Sequence, residues 1–440
     1  MSYLPNILFL LALIAGIGYF ASNIRKLSRN IKLGKDVDCS NNKPQRIRNL
    51  VRIALGQTKM VKRPVSGILH IIVYVGFIII NIEMLEIIID GIFGTHRVLS
   101  FMGGFYDFII AAFEILAFLV LVSVIVFWIR RNIQKVKRFI KPEMEGWPEK
   151  DANIILYFEM VLMLLFLVMN AADYQLQQMG VEYYHKAGTF PISQYIAPIF
   201  AGMSESSVIL IERLAWWLHI LGILLFLNYL YFSKHLHILL AFPNTYYGKL
   251  TAQGKFTNNA TVTNEVKLMM DPNADPFAAP AEGDAATPEK FGASDVTDLN
   301  WVQLMNAYTC TECGRCTSEC PANQTGKKLS PRKIMMDTRD RLEEVGKNID
   351  KNGKFVPDGK QLLDDYITRE ELWACTTCNA CVEACPVSID PLSIIMDMRQ
   401  YLVMEQSAAP NELNIAMTNI ENNGAPWPYN QMDRLNWKDE

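Results

Sequence analysis

The sequence predicts a mainly α-helical protein that combines a bundle of five transmembrane helices with a smaller soluble domain. Half of the 440 residues are hydrophobic. They are concentrated before residue 240, in stretches long enough to cross a bilayer, which takes about 20 residues. Eight of the nine cysteines lie after residue 300, in two copies of one run. We therefore assign residues 1–240 to a membrane domain, 241–290 to a linker and 291–440 to a soluble domain.

The charges between the apolar stretches predict how the chain crosses the membrane. The predicted spans are about residues 4–24, 65–90, 107–129, 152–176 and 206–233. Lysine and arginine crowd the loops after the first and third spans and are rare in the loops after the second and fourth. Because cytoplasmic loops carry the excess of basic residues, we expect a multi-pass protein of the bacterial inner membrane. Its amino terminus would lie outside and its soluble domain in the cytoplasm.

The predicted linker has a composition of its own. Alanine, proline and aspartate dominate residues 271–288, and almost nothing there could be buried. We expect an extended connection between the two halves.

The two cysteine runs share the spacing C-x2-C-x2-C-x3-C-P. This spacing is typical of proteins with two [4Fe–4S] clusters, in which the fourth cysteine of each run ligates the other cluster. Zinc needs four ligands rather than eight in a doubled pattern, and disulfides would be out of place in a cytoplasmic domain. The pattern indicates one-electron transfer. The predicted ligands are Cys310, Cys313, Cys316 and Cys385 for one cluster, and Cys375, Cys378, Cys381 and Cys320 for the other.

The chain has only six histidines, and three of them predict a haem. His70 lies inside the second span, His219 lies inside the fifth, and His237 follows the fifth span. On one continuous helix, the 18 residues from His219 to His237 make five turns, so both would share a face. His70 and His237 have the matching depth near the inner surface. We predict that they are the axial ligands of one haem b, with hydrogen-bonded packing histidines as the alternative.

The remaining histidines are expected to have no cofactor. His235 would point away from the face that His219 and His237 share, and His96 and His185 fall in the outer loops, where we expect them to be solvated.

The fifth span and its continuation resemble the last helix of nitrate reductase gamma subunits. The likeness rests on the residues from Leu218 to Ile238 and on Pro243 after them. In that family this helix and a pair of histidines on the second helix, ten residues apart, hold two stacked haems. Here the first histidine of the pair matches His70, but Ile80 stands in the place of the second. His219 would then find an unusual haem partner, face a quinone or form a hydrogen bond in the core.

Residues 290–430 resemble the C subunit of heterodisulfide reductase, a helical ferredoxin with two [4Fe–4S] clusters. The likeness covers residues 295–301 ahead of the first cysteine run, 373–387 around the second and 419–427 beyond it. Between the runs, Ser330 followed by Pro331 has the signature of a helix start. No nucleotide-binding motif is present.

Together the two modules resemble membrane-bound oxidoreductases related to heterodisulfide reductase, including electron-transfer-flavoprotein dehydrogenases that feed menaquinone. The resemblance implies an oxidoreductase subunit that passes electrons between a cytoplasmic partner and the quinone pool. The partner would be a separate iron–sulfur subunit with a CCG domain, supplied by electron-transfer flavoprotein. The alternatives are quinol-driven reduction of a cytoplasmic disulfide and a membrane anchor without haem that recruits a soluble redox complex. We predict no catalytic side chain and no nucleic-acid partner.

Quinone sites have no firm motif, so acidic residues in the spans are the candidates. Glu114 is the deepest, and a buried acid in a membrane helix suggests a role in quinone binding or proton transfer. Each candidate could equally be a hydrogen-bonded structural residue. The others are Glu83, Glu86, Asp90 and Glu159.

Overall fold

The computed structural model of this protein describes residues 3–256, 258–272 and 290–439. Most of the segment for which the sequence predicts an extended linker, residues 273–289, lies outside them. The described residues form helices and two isolated β-bridges, without a strand in those ranges. The prediction of a mainly helical protein is confirmed.

The helices of the first half are α1 (Leu4–Ile31), α2 (Lys43–Asn49), α3 (Pro64–Phe93), α4 (Gly104–Asn132), α5 (Trp147–Met179), α6 (Glu205–Tyr229) and α7 (His237–Tyr247). Among the described residues, five helices are long and apolar enough to cross a membrane, one at each predicted position. These five are α1, α3, α4, α5 and α6, the last continued by a short 3₁₀ turn to Phe232.

The ends of the long helices follow from local sequence. Pro64 occupies the first turn of α3, where its missing N–H has no helical partner to lose. Gly94 and Gly180 end α3 and α5 in the left-handed conformation that glycine adopts without strain.

Ser233 interrupts the fifth membrane helix, so the prediction that His219 and His237 share one face of a continuous helix is wrong. The backbone at Ser233 is extended, with φ −121° and ψ 149°. Its side chain accepts a hydrogen bond from the N–H of His235 at 3.0 Å, which starts a new turn. Serine competes for backbone hydrogen bonds in this way wherever it caps a helix. His237 therefore begins a separate helix, α7, whose register is independent of the helix that carries His219.

The second half is a helical domain with its own apolar core. Leu304, Leu342 and Met398 are fully buried in it, and they come from α9, α12 and α16 respectively. α8 (Ala260–Met270) precedes this domain and lies within the predicted linker. The helices of the domain are α9 (Trp301–Thr309), α10 (Arg315–Glu319), α11 (Pro321–Gln324), α12 (Pro331–Asn352), α13 (Leu362–Asp365), α14 (Arg369–Trp373), α15 (Ala380–Ala384), α16 (Pro391–Met404) and α17 (Asn411–Asn423). Ser330 caps α12 through the N–H of Lys333, so the predicted helix start is confirmed.

This second half is docked directly on one end of the bundle. Asn30 at the end of α1 donates a hydrogen bond to the Tyr308 hydroxyl at 2.9 Å, and Arg29 pairs with Asp350. A Cβ at Gly346 would lie 2.4 Å from the side-chain amide nitrogen of Asn30. Glycine at this position therefore leaves room for the buried Asn30 side chain.

Residues 241–247 are part of this contact rather than the start of the linker. They belong to α7, which packs on α9. Asn244 is buried and donates a hydrogen bond to the Val387 carbonyl at 2.8 Å, beside the second cysteine run. The connection between the halves therefore begins later than the composition indicates.

Candidate redox centres

The two cysteine runs adopt the same local backbone. Glu312 and Thr377, two residues after the first cysteine of each run, both have positive φ, and so do Gly314 and Asn379, four residues after it. These left-handed residues turn the chain around the first three cysteines of each run, after which a short helix, α10 or α15, begins. The sequence repeat is thus a structural repeat.

The end of the second run folds back onto the first. Four cysteines that the sequence assigns to one cluster line a single pocket at the contact of α10 and α15, together with Cys381. Burial raises the pKa of Cys316, and the charges of Cys313, Cys310, Cys385 and Cys381 raise it further. Burial also raises the pKa of Cys375, whose cysteine neighbours are Cys320 and Cys378. All of these neighbours except Cys381 belong to the same predicted ligand set as the thiol on which they act.

The chemistry of this donor set fits iron–sulfur clusters. In the described chain all nine cysteines are free of disulfides. No three His, Cys, Asp or Glu side chains of the described residues lie close enough to share a single metal ion. A zinc ion needs its thiolates about 2.3 Å away, whereas a four-iron cube separates its ligands over four corners. The cysteine positions remain predicted ligands.

The two cysteine groups differ in their access to solvent. Cys310, Cys320, Cys381 and Cys385 are buried, but Cys378 is exposed. The group that contains Cys378 therefore reaches the surface of the cysteine-rich domain at this residue.

Arg315, next to Cys316, connects the cysteine pocket to the membrane helices. Its guanidinium donates hydrogen bonds to the carbonyls of Lys59 at 3.1 Å and Met60 at 3.3 Å. A Cβ at Gly67, one turn before His70, would lie 2.9 Å from the Met60 carbonyl. One layer of backbone thus separates the pocket from the helix that carries His70.

Glu312 ties the first cysteine run to the same end of the bundle. The buried carboxylate forms ion pairs with Lys234 and, at 2.8 Å, with Arg339. Burial raises the pKa of Glu312, but these two cations outweigh that effect and the net shift is downward. The carboxylate is therefore ionised at neutral pH. Lys234 also donates to the Pro148 carbonyl at 2.6 Å, so it joins α5, α7 and the cysteine run.

Breaking this ion pair gives a test of the docking. Lys234→Met is expected to destabilise the protein by an amount near the lower end of the about 3–5 kcal/mol typical of a broken buried pair, because Arg339 still faces Glu312. The control is Lys62→Met, whose pair with Glu383 is largely exposed and is worth at most about 1 kcal/mol. The measurement is the apparent Tm of the detergent-purified protein. Equal Tm values for the two variants would refute the role of Lys234.

His70 and His237 face each other with their ring centroids 6.4 Å apart. Two imidazoles on one metal, with bonds of about 2.0 Å, would have centroids about 6.3 Å apart. The Nδ1 atom of His237 lies 3.1 Å from the Lys234 carbonyl, which leaves Nε2 as the nitrogen available to a metal. Burial lowers the pKa of His237, so its imidazole is neutral at pH 7. This geometry fits the predicted axial pair of a haem b.

His235 lies beside this pair, so the expectation that it points away is wrong. Its ring centroid is 5.4 Å from that of His237. Its Nε2 is 3.6 Å from a carboxylate oxygen of Glu159 in α5. The break at Ser233 changes the helical register on which the expectation rested. Glu159 therefore has a partner within the protein.

His219 is buried about one turn from Trp216 on α6. Its Nδ1 lies 3.0 Å from the Leu162 carbonyl, and its ring packs on Phe166. Ile80 is buried in the apolar core of the bundle. These contacts favour the hydrogen-bonded core histidine among the three alternatives, and a role for His219 with a second haem or a quinone stays a prediction.

Glu114 is fully buried and has three hydrogen-bond donors. Asn170 donates at 3.2 Å, and the N–H groups of Ile192 and Ser193 donate at 3.0 and 3.1 Å. The carboxylate thereby holds the loop after α5 against α4. This arrangement supports the structural alternative, and its role with quinone or protons stays a prediction.

Sequence reasoning missed a polar cluster at the other end of the bundle. Arg97 is 6% exposed and donates to Asp173 at 2.6 Å. The side chain of His96 is only 8% exposed and lies 3.3 Å from Asp173, so the expectation that His96 is solvated is wrong. The available signal was an acid in the predicted fourth span, since a buried charge needs a partner.

Comparisons with known proteins agree with the geometry of the cysteine runs. Residues 309–389 match the 4Fe-4S dicluster domain family, a range that encloses both runs. The chain is 31% identical to the probable iron-sulfur-binding oxidoreductase FadF of Bacillus subtilis, over 99% of this chain and 61% of that protein. The chain is thus similar to iron–sulfur oxidoreductases, and this part of the resemblance stated from the sequence is confirmed. The likeness of the fifth span to nitrate reductase gamma subunits stays a prediction.

Other relatives agree with this assignment. The chain is 28% identical to the EtfAB:quinone oxidoreductase of Syntrophomonas wolfei, over 90% of the chain and 54% of that protein. It is 34% identical to one component of the ferredoxin/F(420)H(2)-dependent CoB-CoM heterodisulfide reductase of Methanosarcina acetivorans, over 24% of the chain and 52% of that component. No solved structure matches the chain. The chain spans between half and two thirds of the first two relatives.

Proposed function

We propose that this chain passes electrons between a soluble partner and the membrane quinone pool. The observation that carries the proposal is the short path from the cysteine pocket to the histidine pair. Arg315 beside Cys316 reaches the carbonyls of residues 59 and 60, and these pack on the helix that bears His70. When bound, two [4Fe–4S] clusters and a haem b would supply carriers of single electrons.

The side chains have distinct tasks in this proposal. The exposed Cys378 marks the face on which the partner docks. Glu312 and Lys234 hold the first cysteine run against the bundle, and Lys234 also orients His237 through its backbone carbonyl. His70 and His237 hold the haem b from α3 and α7. The soluble domain would lie in the cytoplasm, as the charges of the loops indicate.

The proposed partner is a CCG-domain iron–sulfur subunit that receives electrons from electron-transfer flavoprotein, with menaquinone as the acceptor. The name of the Syntrophomonas relative, EtfAB:quinone oxidoreductase, supports this choice. The heterodisulfide reductase relative supports a second candidate, quinol-driven reduction of a cytoplasmic disulfide. The two candidates use the same ligands and differ in the direction of electron flow.

A redox-poised optical and EPR titration of the purified membrane complex tests the proposal, with haem and iron counted per chain. We expect one haem b and about eight cluster irons, as two four-iron clusters require. Addition of a naphthoquinone to the reduced protein should then reoxidise both the haem and the clusters. Clusters without haem would instead favour the membrane anchor, and two haems would mean that His219 has found an unusual partner.

A further inference from the structure

A cavity of about 730 Å³ lies at the end of the bundle opposite the cysteine-rich domain. Its walls are the first turns of α1, the last turns of α3 and α5, the first turns of α6 and the loop that follows α3. The volume falls within the range of about 300–1,000 Å³ that is usual for small-molecule sites.

Most of the charged groups in the cavity wall are already paired. Arg97 donates to Asp173 and Asn170, and Arg213 pairs with Glu212. Glu86 accepts hydrogen bonds from Tyr106 and from the N–H of Leu99. Asp90 accepts hydrogen bonds from the Thr95 hydroxyl and from the N–H groups of Arg97 and Val98. These pairs make a rigid polar frame that does not need a ligand.

Two polar groups in the wall are different. Glu83 is 4% exposed, and its Oε2 atom has no hydrogen-bond partner among the described residues. The Nδ1 atom of His96 is also buried without a partner in that part of the chain, although its Nε2 faces Asp173. Buried polar atoms are almost always hydrogen-bonded. Both side chains line the cavity. With a proton on each of these two atoms, a ligand with two acceptor oxygens would satisfy them.

The other side of the cavity is aromatic. Phe9, Trp216 and Trp217 form a cluster with ring centroids 5.3 to 6.2 Å apart, and all three line the cavity. Tyr3 and Phe93, also in the lining, are 76% and 74% exposed on the outer surface of the bundle. A flat ring can stack on such a cluster, and an apolar tail can leave towards lipid past the exposed pair.

We infer that this cavity binds the ring of a membrane quinone, with Glu83 and His96 donating to its two carbonyl oxygens. The inference rests on the proposed function, which supplies the electrons. Reduction adds two electrons and two protons. The electrons come one at a time from the carriers of the proposed function and cross from the His70 end of α3 to its Glu83 end, about 20 Å along the helix. Glu83 and His96 each pass one proton to a carbonyl oxygen and each take one from water. The quinone carbonyls become the two hydroxyls of the quinol.

The test measures binding and turnover separately on the purified complex. A short-chain naphthoquinone is titrated against tryptophan fluorescence, since Trp216 and Trp217 line the cavity. Glu83→Leu and His96→Ala should each weaken binding about tenfold, the effect of one lost hydrogen bond. Glu83→Gln keeps a donor, so its KM should stay near that of the wild type while its kcat for quinone reduction falls. Glu205→Gln, exposed at the same end of the bundle and outside the lining, is the matched control.

The outcomes separate this inference from the proposed function. Unchanged binding and unchanged quinone reduction in Glu83→Leu and His96→Ala would overturn the cavity assignment and leave electron transfer to quinone intact. Binding that responds to both substitutions, in a wild-type protein that never reduces the probe, would support the cavity and overturn the proposed electron transfer. Cluster and haem spectra of each variant show that it has folded.

Discussion

Cys385→Ser is expected to remove the cluster of the first cysteine run, although Cys385 belongs to the second run. The reason is that Cys385 lines the pocket of Cys310, Cys313 and Cys316. The variant should lose about four of the about eight cluster irons. Its EPR spectrum after reduction should match that of Cys313→Ser and differ from that of Cys378→Ser.

The reciprocal variant and a control complete this experiment. Cys320→Ser should give the spectrum of Cys378→Ser, because Cys320 is a neighbour of Cys375. Cys39→Ser should keep all the iron, since Cys39 lies in the loop after α1, outside both runs and outside the lining of the cysteine pocket. If Cys385→Ser gave the spectrum of Cys378→Ser, each run would hold its own cluster and the crossed ligand sets would be refuted.

His70→Ala and His237→Ala are each expected to abolish the absorbance of haem b and to leave the cluster iron unchanged. The two ring centroids are 6.4 Å apart and the histidines belong to different helices, so neither histidine can replace the other as a ligand. The measurement is the reduced-minus-oxidised optical spectrum together with the haem content per chain.

His235→Gln is the matched control for the histidine pair. His235 is two residues from His237 and close to it in space, but its Nε2 faces Glu159. The control should keep its haem. Full haem in His70→Ala, or loss of haem in His235→Gln alone, would refute the assignment of the pair.

Residue spacing predicted correctly the features that are local in sequence. The apolar stretches predicted five membrane helices, because a bilayer requires a fixed length of apolar residues whatever lies next to the helix. The eight cysteines predicted a dicluster domain, because three thiolates within seven residues are placed by the local turn itself. The positive φ values at Glu312 and Thr377 are part of that turn.

The prediction that required a continuous fifth helix was wrong. The shared face of His219 and His237 assumed an unbroken helix, and one serine cap at Ser233 ended it. The pairing of His70 with His237 did not depend on that assumption, since it rested on depth in the membrane. This pairing has the geometry of an axial pair, and it stays a prediction until haem is measured.

The sequence by itself determined the helical class, the five long apolar helices and the doubled cysteine pattern, since composition and short-range spacing control these features. Only the tertiary structure decided which groups meet across long separations. Lys234 with Glu312, Arg315 with Met60, and Glu83 with His96 in one cavity wall are examples. A single sequence does not indicate such pairs. A charged residue near a span has the same sequence pattern whether water or a distant buried partner satisfies its charge.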